Sequence, residues 1–176
     1  NHFCGTTSLW GSTFSLMLAD IVREFGRHGA KKLVVLDGHS ENQAFLVEGI
    51  ERGLAELARD GVRDMRVIRL GYWTTIRKSV QDMLFPSGAV NWDLEHAAVM
   101  ETSVMMHLRP DLVRIDRIPD GPPAAFPPYE TFPIDPRPIP PHGVLSSARS
   151  ATAEKGRAVV ESLVEDFATL IPSAFD

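Results

Sequence analysis

The spacing of apolar residues along the chain predicts helices that alternate with short strands. Residues 33–36 are apolar, rich in β-branched side chains and flanked by charge, so they predict a buried strand. Residues 65–70 predict a second strand. Helical spacing predicts one helix from Thr13, its N-cap, to a stop at Gly29, and another that ends near Asp60. The order helix, strand, helix, strand favours a parallel sheet covered by helices, and hence an α/β fold.

Two further helices are predicted in the second half of the chain. One covers residues 95–108 and is stopped by Pro110, after a loop over residues 85–93. The other covers residues 153–171, with Thr152 as its N-cap and Pro172 as its stop. Its predicted apolar face comprises Val159, Val160, Leu163, Val164, Phe167 and Leu170.

A proline-rich segment, residues 110–142, separates these two helices and carries eleven of the thirteen prolines. Proline has a fixed φ and no backbone N–H, so this segment cannot hold a central strand or a long helix. A disordered linker is one interpretation. Apolar side chains are spaced through the segment, however, and a solvated linker has little use for them: Phe126, Tyr129, Phe132 and Ile134. We therefore favour an extended, ordered segment laid over the domain or over a neighbouring subunit.

Composition narrows the class of protein. The 176 residues fit a single domain, and contents of 44% hydrophobic and 23% charged residues are ordinary for a globular protein. The net charge of -5 argues against nucleic acid or an anionic membrane as a partner. No apolar run approaches the roughly 20 residues of a membrane helix. The single cysteine, Cys4, favours a cytoplasmic location. Because the chain begins at Asn1 without methionine, we expect it to be the N-terminally incomplete part of a longer polypeptide.

The turn after the first predicted strand carries the strongest chemical signal. In open α/β sheets, ligands bind in the crevice beyond the carboxyl ends of the strands. Neutral imidazole and carboxylate are ordinary ligands for Zn²⁺ and Mn²⁺, and His39 and Glu41 are two residues apart, so a locally extended turn directs both the same way. A lone histidine after a strand is commonly only a structural hydrogen-bonding group. The shared loop nevertheless favours half of a metal site.

Further candidates lie around the start of the helix predicted over residues 95–108. They are Trp92, Asp93, Glu95, His96 and Glu101. The simpler interpretation is that the acids favour the positive end of a helix. Trp92 is harder to explain in this way, because an aromatic side chain at the end of a loop usually packs on something. The pattern by itself therefore predicts a metal-dependent α/β hydrolase.

Several motifs resemble those of the creatininase family, and the likeness extends nearly from end to end. The motifs are residues 1–9 (NHFCGTTSL), 37–42 (DGHSEN), 92–96 (WDLEH), 101–103 (ETS), 110–113 (PDLV), 126–129 (FPPY) and 145–148 (LSSA). The resemblance implies a three-layer α/β/α fold around a parallel sheet, of which this chain is the C-terminal portion. It also implies a homo-oligomer, expected to be a hexamer. The proline-rich segment is most similar to members that act on creatinine.

The resemblance implies a chemistry as well. Family members hold two divalent ions, typically Zn²⁺ and Mn²⁺, and interconvert creatinine and creatine by opening and closing a cyclic amide. By resemblance, His39 and Glu41 are metal ligands, one for each ion, and Glu41 also takes part in catalysis. Trp92, Asp93 and His96 match the substrate loop and a histidine assigned to proton transfer. Glu101 matches an acid behind them.

Three departures from the family pattern leave alternatives open. The family's earlier segment, which supplies a glutamate, a histidine and a bridging aspartate, is absent, so we expect this chain alone to be inactive. Ser40 replaces a tyrosine that touches substrate, and Cys4 replaces a proline. The alternatives to creatinine hydrolysis are hydrolysis of another amide or cyclic amide by a relative, and a non-catalytic assembly module that has lost its first ligands. The coding sequence upstream of Asn1 separates the module from the enzymes.

Overall fold

The computed structural model describes residues 6–87 and 92–176, which form two compact units. The first unit comprises Thr6–Thr75 and Asp166–Asp176, and the second lies within Ile76–Glu165. The α-helices and strands of the described residues are α1 (Gly11–Arg27), β1 (Lys32–Asp37), α2 (Gln43–Arg59), β2 (Arg66–Gly71), α3 (Lys78–Leu84), α4 (Val99–Leu108) and α5 (Ala153–Ser173). Cys4 and residues 88–91 of the loop predicted over residues 85–93 lie outside the described residues.

The two strands pair in parallel, which the order of predicted elements favoured. Their register runs from Lys32 opposite Arg66 to Asp37 opposite Gly71. Both strands therefore end at the same edge, and the turn that carries His39 leaves the sheet there. β1 is one residue longer at each end than the predicted run 33–36, whereas β2 has the predicted length and is shifted by one residue from 65–70.

Helices α1 and α2 pack closely in the first unit. The core of this unit comprises Leu18, Val22, Leu46, Leu57 and Met65. A Cβ added at Gly49 would lie 2.7 Å from the carbonyl oxygen of Ser15, and one added at Gly53 would lie 2.7 Å from that of Ala19. The two glycines therefore allow the backbones to approach, and the Ser15 hydroxyl donates a hydrogen bond to the Phe45 carbonyl at 3.0 Å.

The predicted ends of α1 are half right. Thr13 is not the N-cap, because the helix begins at Gly11 and Trp10 precedes it without a side-chain cap. The predicted stop at Gly29 is confirmed. This residue has φ +93, and its N–H donates to the Gly26 carbonyl at 3.0 Å. Glycine adopts this left-handed conformation without the steric cost that a Cβ imposes, which ends the helix here.

Buried side chains of α3, α4 and α5 form the core of the second unit, among them Leu84, Met100 and Val159. Thr152 is the N-cap of α5, as predicted, because its hydroxyl accepts a hydrogen bond from the Lys155 N–H at 3.1 Å. Two predictions about α5 are wrong. The helix continues through Pro172 to Ser173, and two residues placed on the apolar face, Val164 and Leu170, are 64% and 38% exposed.

The proline-rich segment holds no strand and no α-helix, as predicted. Short 3₁₀ turns occupy Pro110–Leu112 and Ile115–Arg117. Several of its apolar side chains face solvent, and the Tyr129 and Phe132 rings are 65% and 80% exposed. Within residues 6–87 and 92–176, no helix is both long and apolar enough to span a bilayer.

Candidate active site

The turn that follows β1 is built on the buried carboxylate of Asp37. This side chain accepts a hydrogen bond from the His39 N–H at 3.1 Å, and the Arg69 guanidinium on β2 lies 3.4 Å from its other oxygen. An aspartate that accepts from a backbone amide two residues on forms an Asx turn. Asp37 therefore fixes the direction in which the chain leaves the strand.

His39, Ser40 and Glu41 lie together beyond this turn. His39 is extended, with φ -153 and ψ 129, whereas Ser40–Asn42 form a 3₁₀ turn, so the locally extended turn that we predicted is observed only at His39. The two side chains nevertheless meet, since His39 Nδ1 contacts Glu41 Oε2. The Ser40 hydroxyl donates to the same carboxylate oxygen at 2.8 Å.

The Glu41 carboxyl is held ionised. Burial acts to raise its pKa, but hydrogen bonds from the Ser40 hydroxyl and from its own backbone amide, together with His39, outweigh this effect and lower the pKa below its usual value. A carboxylate must be deprotonated to bind a cation. The local hydrogen bonds thus keep Glu41 in the form that a metal requires.

The donor set suits a divalent cation in kind but is incomplete in number. An imidazole nitrogen and a carboxylate oxygen are donors that Zn²⁺ and Mn²⁺ accept. Among the residues that the structure describes, however, no group of three or more His, Cys, Asp or Glu side chains is placed to hold a metal. His39 and Glu41 therefore supply only part of a coordination shell.

The other predicted site residues begin at a 3₁₀ turn, Trp92–Leu94, in the second unit. The Trp92 ring meets Phe85 edge to face, with the ring centroids 6.2 Å apart and the planes at 79°. Such contacts stabilise aromatic pairs. Trp92 still leaves 38% of its surface exposed, so its ring is anchored on one side and open on another. Asp93 lies in the same turn.

His96 lies in a turn before α4, which corrects the helix predicted to start at residue 95. The helix begins at Val99, and Ala97 has φ +52. A non-glycine residue in this left-handed region interrupts a right-handed helix, so Glu95 and His96 cannot be part of α4. The prediction failed because the apolar spacing continues through a turn whose conformation is set by side-chain contacts.

Two glutamate carboxylates hold the backbone on both sides of His96. Glu95 Oε1 accepts a hydrogen bond from the Met100 N–H at 2.6 Å, and Glu101 Oε2 accepts one from the Ala97 N–H at 2.5 Å. We call this crossed pair of interactions the glutamate clasp. Both carboxylates accept hydrogen bonds from backbone N–H groups at or just before the start of α4. Such N–H groups have no carbonyl partner within the helix.

The two carboxyl groups of the clasp differ in their surroundings. Burial and the nearby Glu101 carboxylate raise the pKa of Glu95 to about 7, against hydrogen bonds from the Met100 and Glu101 amides that lower it. Glu95 therefore changes its charge near neutral pH, which an ordinary glutamate does not.

The predicted site residues thus fall into two groups. His39, Ser40 and Glu41 belong to the first unit, and Trp92, Asp93, His96 and Glu101 belong to the second. Sequence reasoning gave no site role to Asp37 or Arg69, and it named Glu95 as a candidate without giving it a specific task. An aspartate followed by glycine at a strand end is a signal for an Asx turn and could have identified Asp37. No sequence signal marked the contact of Glu95 with Met100, because that contact depends on the backbone at Ala97.

The chain matches known proteins over nearly all of its length. The family model described as creatininase, creatinine amidohydrolase, matches residues 1–171. The chain is 48% identical over 176 residues to the creatinine amidohydrolase of Pseudomonas putida, covering 99% of this chain and 68% of that protein. It is 29% identical over 171 residues to the mycofactocin precursor peptide peptidase of Mycobacterium ulcerans (strain Agy99), covering 93% of this chain and 57% of that protein.

Solved creatininase structures superimpose closely on the chain. A glutamate-to-glutamine variant in a Zn-Zn form matches with a TM-score of 0.96 and 48% identity, over 99% of this chain and 68% of that one. The manganese form of creatininase matches with a TM-score of 0.95 over the same shares, and a variant complexed with creatine matches with 0.95 over 99% and 69%. The α/β fold and the family predicted from the motifs are confirmed. The chain belongs to the creatininase family.

Proposed function

We propose that this protein is a creatinine amidohydrolase, which reversibly hydrolyses the cyclic amide of creatinine to creatine with the help of divalent metal. The observation that carries this proposal is the 48% identity to the Pseudomonas putida enzyme over 99% of the chain. The contact of His39 with Glu41 at the carboxyl end of β1 supports it, because this edge is where an open α/β sheet binds ligands.

We further propose that His39 and Glu41 each bind one of two divalent cations, and that these cations are Zn²⁺ and Mn²⁺. The zinc and manganese forms of related creatininases support this choice of metals. The remaining ligands would lie outside the described residues. When bound, such cations polarise a carbonyl group and make hydroxide available from water near neutral pH.

The residues of the second unit would handle the substrate. The exposed side of Trp92 offers a flat apolar surface for the creatinine ring and would exclude water from it. Asp93 would bind the polar edge of the substrate, and His96 would donate a proton to the departing ring nitrogen. Glu101 holds the Ala97 amide and so supports the turn that carries His96.

Substitution of the proposed ligands tests this function. His39→Ala or Glu41→Ala should each remove about one metal per site and nearly all creatinine turnover, because each removes a ligand. His96→Ala should keep the metals and lower kcat by about 10²–10⁴-fold, the usual contribution of a general acid. Glu48→Ala is the control, since Glu48 is exposed on α2. These assays use the complete protein. Full metal occupancy in both ligand variants would refute the ligand assignment, and no turnover by the complete unsubstituted protein would refute the substrate.

A second candidate is the hydrolysis of another amide bond. The 29% identity to a peptide peptidase supports it. Ser40 supports it too, because this short side chain replaces the tyrosine that touches substrate in the family, and its hydroxyl donates to Glu41. Assays of the metal-loaded protein on creatinine, other cyclic amides and short peptides distinguish the two candidates. Turnover of peptides without turnover of creatinine would favour the second. Full metal occupancy with no turnover of any of these substrates would favour a non-catalytic module.

We also propose that the protein is a cytoplasmic homo-oligomer, most simply a hexamer. Trp10, Tyr129 and Phe132 are large apolar side chains that are more than half exposed, and such surfaces mark association sites. The proposal places the proline-rich segment against a neighbouring subunit. Sedimentation equilibrium of the complete protein should give six times the mass of one subunit, whereas a monomer mass would refute the assembly.

A further inference from the structure

We propose that Glu95 is a positioning residue for His96, which it holds in place through the glutamate clasp. The inference rests on the proposed function, in which His96 transfers a proton to the substrate. It assigns a task to a half-buried acid that has no place among the proposed ligands or substrate contacts.

The backbone around His96 is fixed from several directions. Besides the two hydrogen bonds of the clasp, the His96 carbonyl accepts a hydrogen bond from the Leu145 N–H at 3.2 Å. The Leu94 carbonyl accepts one from the Ser146 hydroxyl at 3.0 Å. Residues 94–97 therefore have little freedom while the clasp is closed. A general acid gains from such restraint, because a displacement of about 1 Å can cost on the order of 10²-fold in rate.

A purely structural helix cap would not require this glutamate. Ser, Thr, Asp or Asn at an N-cap satisfies the first amides of a helix, whereas Ala98 is the N-cap of α4 and has no such side chain. Glu95 does the task from three residues further back and from a half-buried position. Burial of a carboxylate is costly, and groups with strongly shifted pKa values concentrate at functional sites.

The charge state of Glu95 would set how tightly the clasp holds. An ionised carboxylate accepts a shorter and roughly twice stronger hydrogen bond than a neutral acid. With its pKa raised to about 7, the Glu95 carboxyl ionises as the solution passes through neutrality, so the bond to Met100 strengthens there. Among the described residues, Glu101 on α4 is the charged group that shifts this ionisation.

The test compares Glu95→Gln and Glu95→Ala with the exposed control Glu48→Gln in the metal-loaded protein. Glutamine keeps a neutral acceptor for the Met100 amide, whereas alanine removes it. We expect kcat to fall by about 10–100-fold in Glu95→Ala, with a smaller change in KM, as for other groups that orient a functional residue. In Glu95→Gln the change of kcat with pH near 7 should become smaller, because the ionisation of Glu95 no longer contributes to it. A parental pH profile in this variant would overturn the proposal, because a purely structural role predicts one.

A second measurement does not depend on turnover. In the parent protein, the Met100 and His96 backbone amide resonances should titrate together with a midpoint near 7. A Met100 resonance that does not move in this range would overturn the proposal. If the parent protein hydrolyses no creatinine while both resonances titrate together and Glu95→Gln abolishes the change, the proposed function fails but the positioning of His96 is supported.

Discussion

Asp37 shows how one buried carboxylate sets the geometry of a candidate metal site without belonging to it. Its side chain holds the His39 amide and faces the Arg69 guanidinium. The sequence predicted that His39 and Glu41 face the same way, and the two side chains do meet. The reason differs in part from the one we predicted, because only His39 is extended and a 3₁₀ turn over Ser40–Asn42 follows it.

Replacement of Asp37 should destabilise the protein, because its buried carboxylate has two partners, the His39 amide and the Arg69 guanidinium. Asp37→Ala leaves the His39 amide without its acceptor and Arg69, which is only 26% exposed, without its carboxylate. Lost buried partners of this kind cost about 2–4 kcal/mol of unfolding free energy. Urea unfolding measures the loss, and Asp20→Ala, an exposed site on α1, is the control. An Asp37→Ala protein as stable as the control would contradict this account.

At the scale of elements, the contact between α1 and α2 depends on residues without side chains. Gly49 and Gly53 form a strip on α2 that meets the backbone of α1 at Ser15 and Ala19. Apolar spacing predicted both helices correctly, because it reports which face is buried. It did not predict how closely the helices approach, because that distance depends on the size of the side chains where the two helices meet.

Gly53→Ala should therefore destabilise the protein although alanine favours helices. The new methyl carbon would lie 2.7 Å from the Ala19 carbonyl oxygen and 2.8 Å from Val22 Cβ, and backbone cannot easily give way. We expect a loss of about 1–3 kcal/mol, typical of an overfilled core, in thermal or urea unfolding. Gly121→Ala is the matched control, because nothing lies within 4 Å of a Cβ there. Equal stability of the two variants would show that α1 and α2 separate at little cost.

The start of α4 marks the limit of pattern reasoning at this scale. Residues 95–98 satisfy helical spacing, yet the structure places them in a turn. The competing preference comes from Glu95 and Glu101, whose carboxylates take amides that a continuing helix would use. Such contacts join residues four and five positions apart through specific rotamers, and hydrophobic pattern carries no information about rotamers.

At the scale of the whole molecule, acidic groups act on stability in opposite directions. Asp135 beside Arg137 has a pKa lowered to about 2, mainly through their hydrogen bond, and Asp120 beside Arg149 is lowered for the same reason. A lowered pKa stabilises the fold above the unfolded value, and that stability is lost as the pH falls. Glu95 acts in the opposite direction, because its raised pKa removes stability as the pH rises towards about 7. Stability should therefore be highest in mildly acidic solution.

Glu95→Gln tests the loss of stability that we expect as the pH rises towards neutrality. The variant should match the parent protein near pH 4.5, the ordinary value for this group, and should become relatively more stable as the pH rises through about 7. Since the side chain is partly exposed, we expect a gain of about 1–2 kcal/mol above neutrality rather than the full value of the shift. Unfolding free energies measured across this range decide the point. A constant difference between the two proteins would contradict the raised pKa.

The left-handed backbone at Ala97 restricts which sequences can occupy this position. Alanine there tolerates a conformation that costs roughly 1–2 kcal/mol and that only glycine, asparagine and aspartate adopt readily. A saturation library at residue 97 should thus yield these three residues, besides the native alanine, as its active members and lose every β-branched or aromatic one. Glycine would relieve the strain but loosen the chain beside the histidine, so evolution at this point must trade ease of folding against stiffness of the catalytic turn.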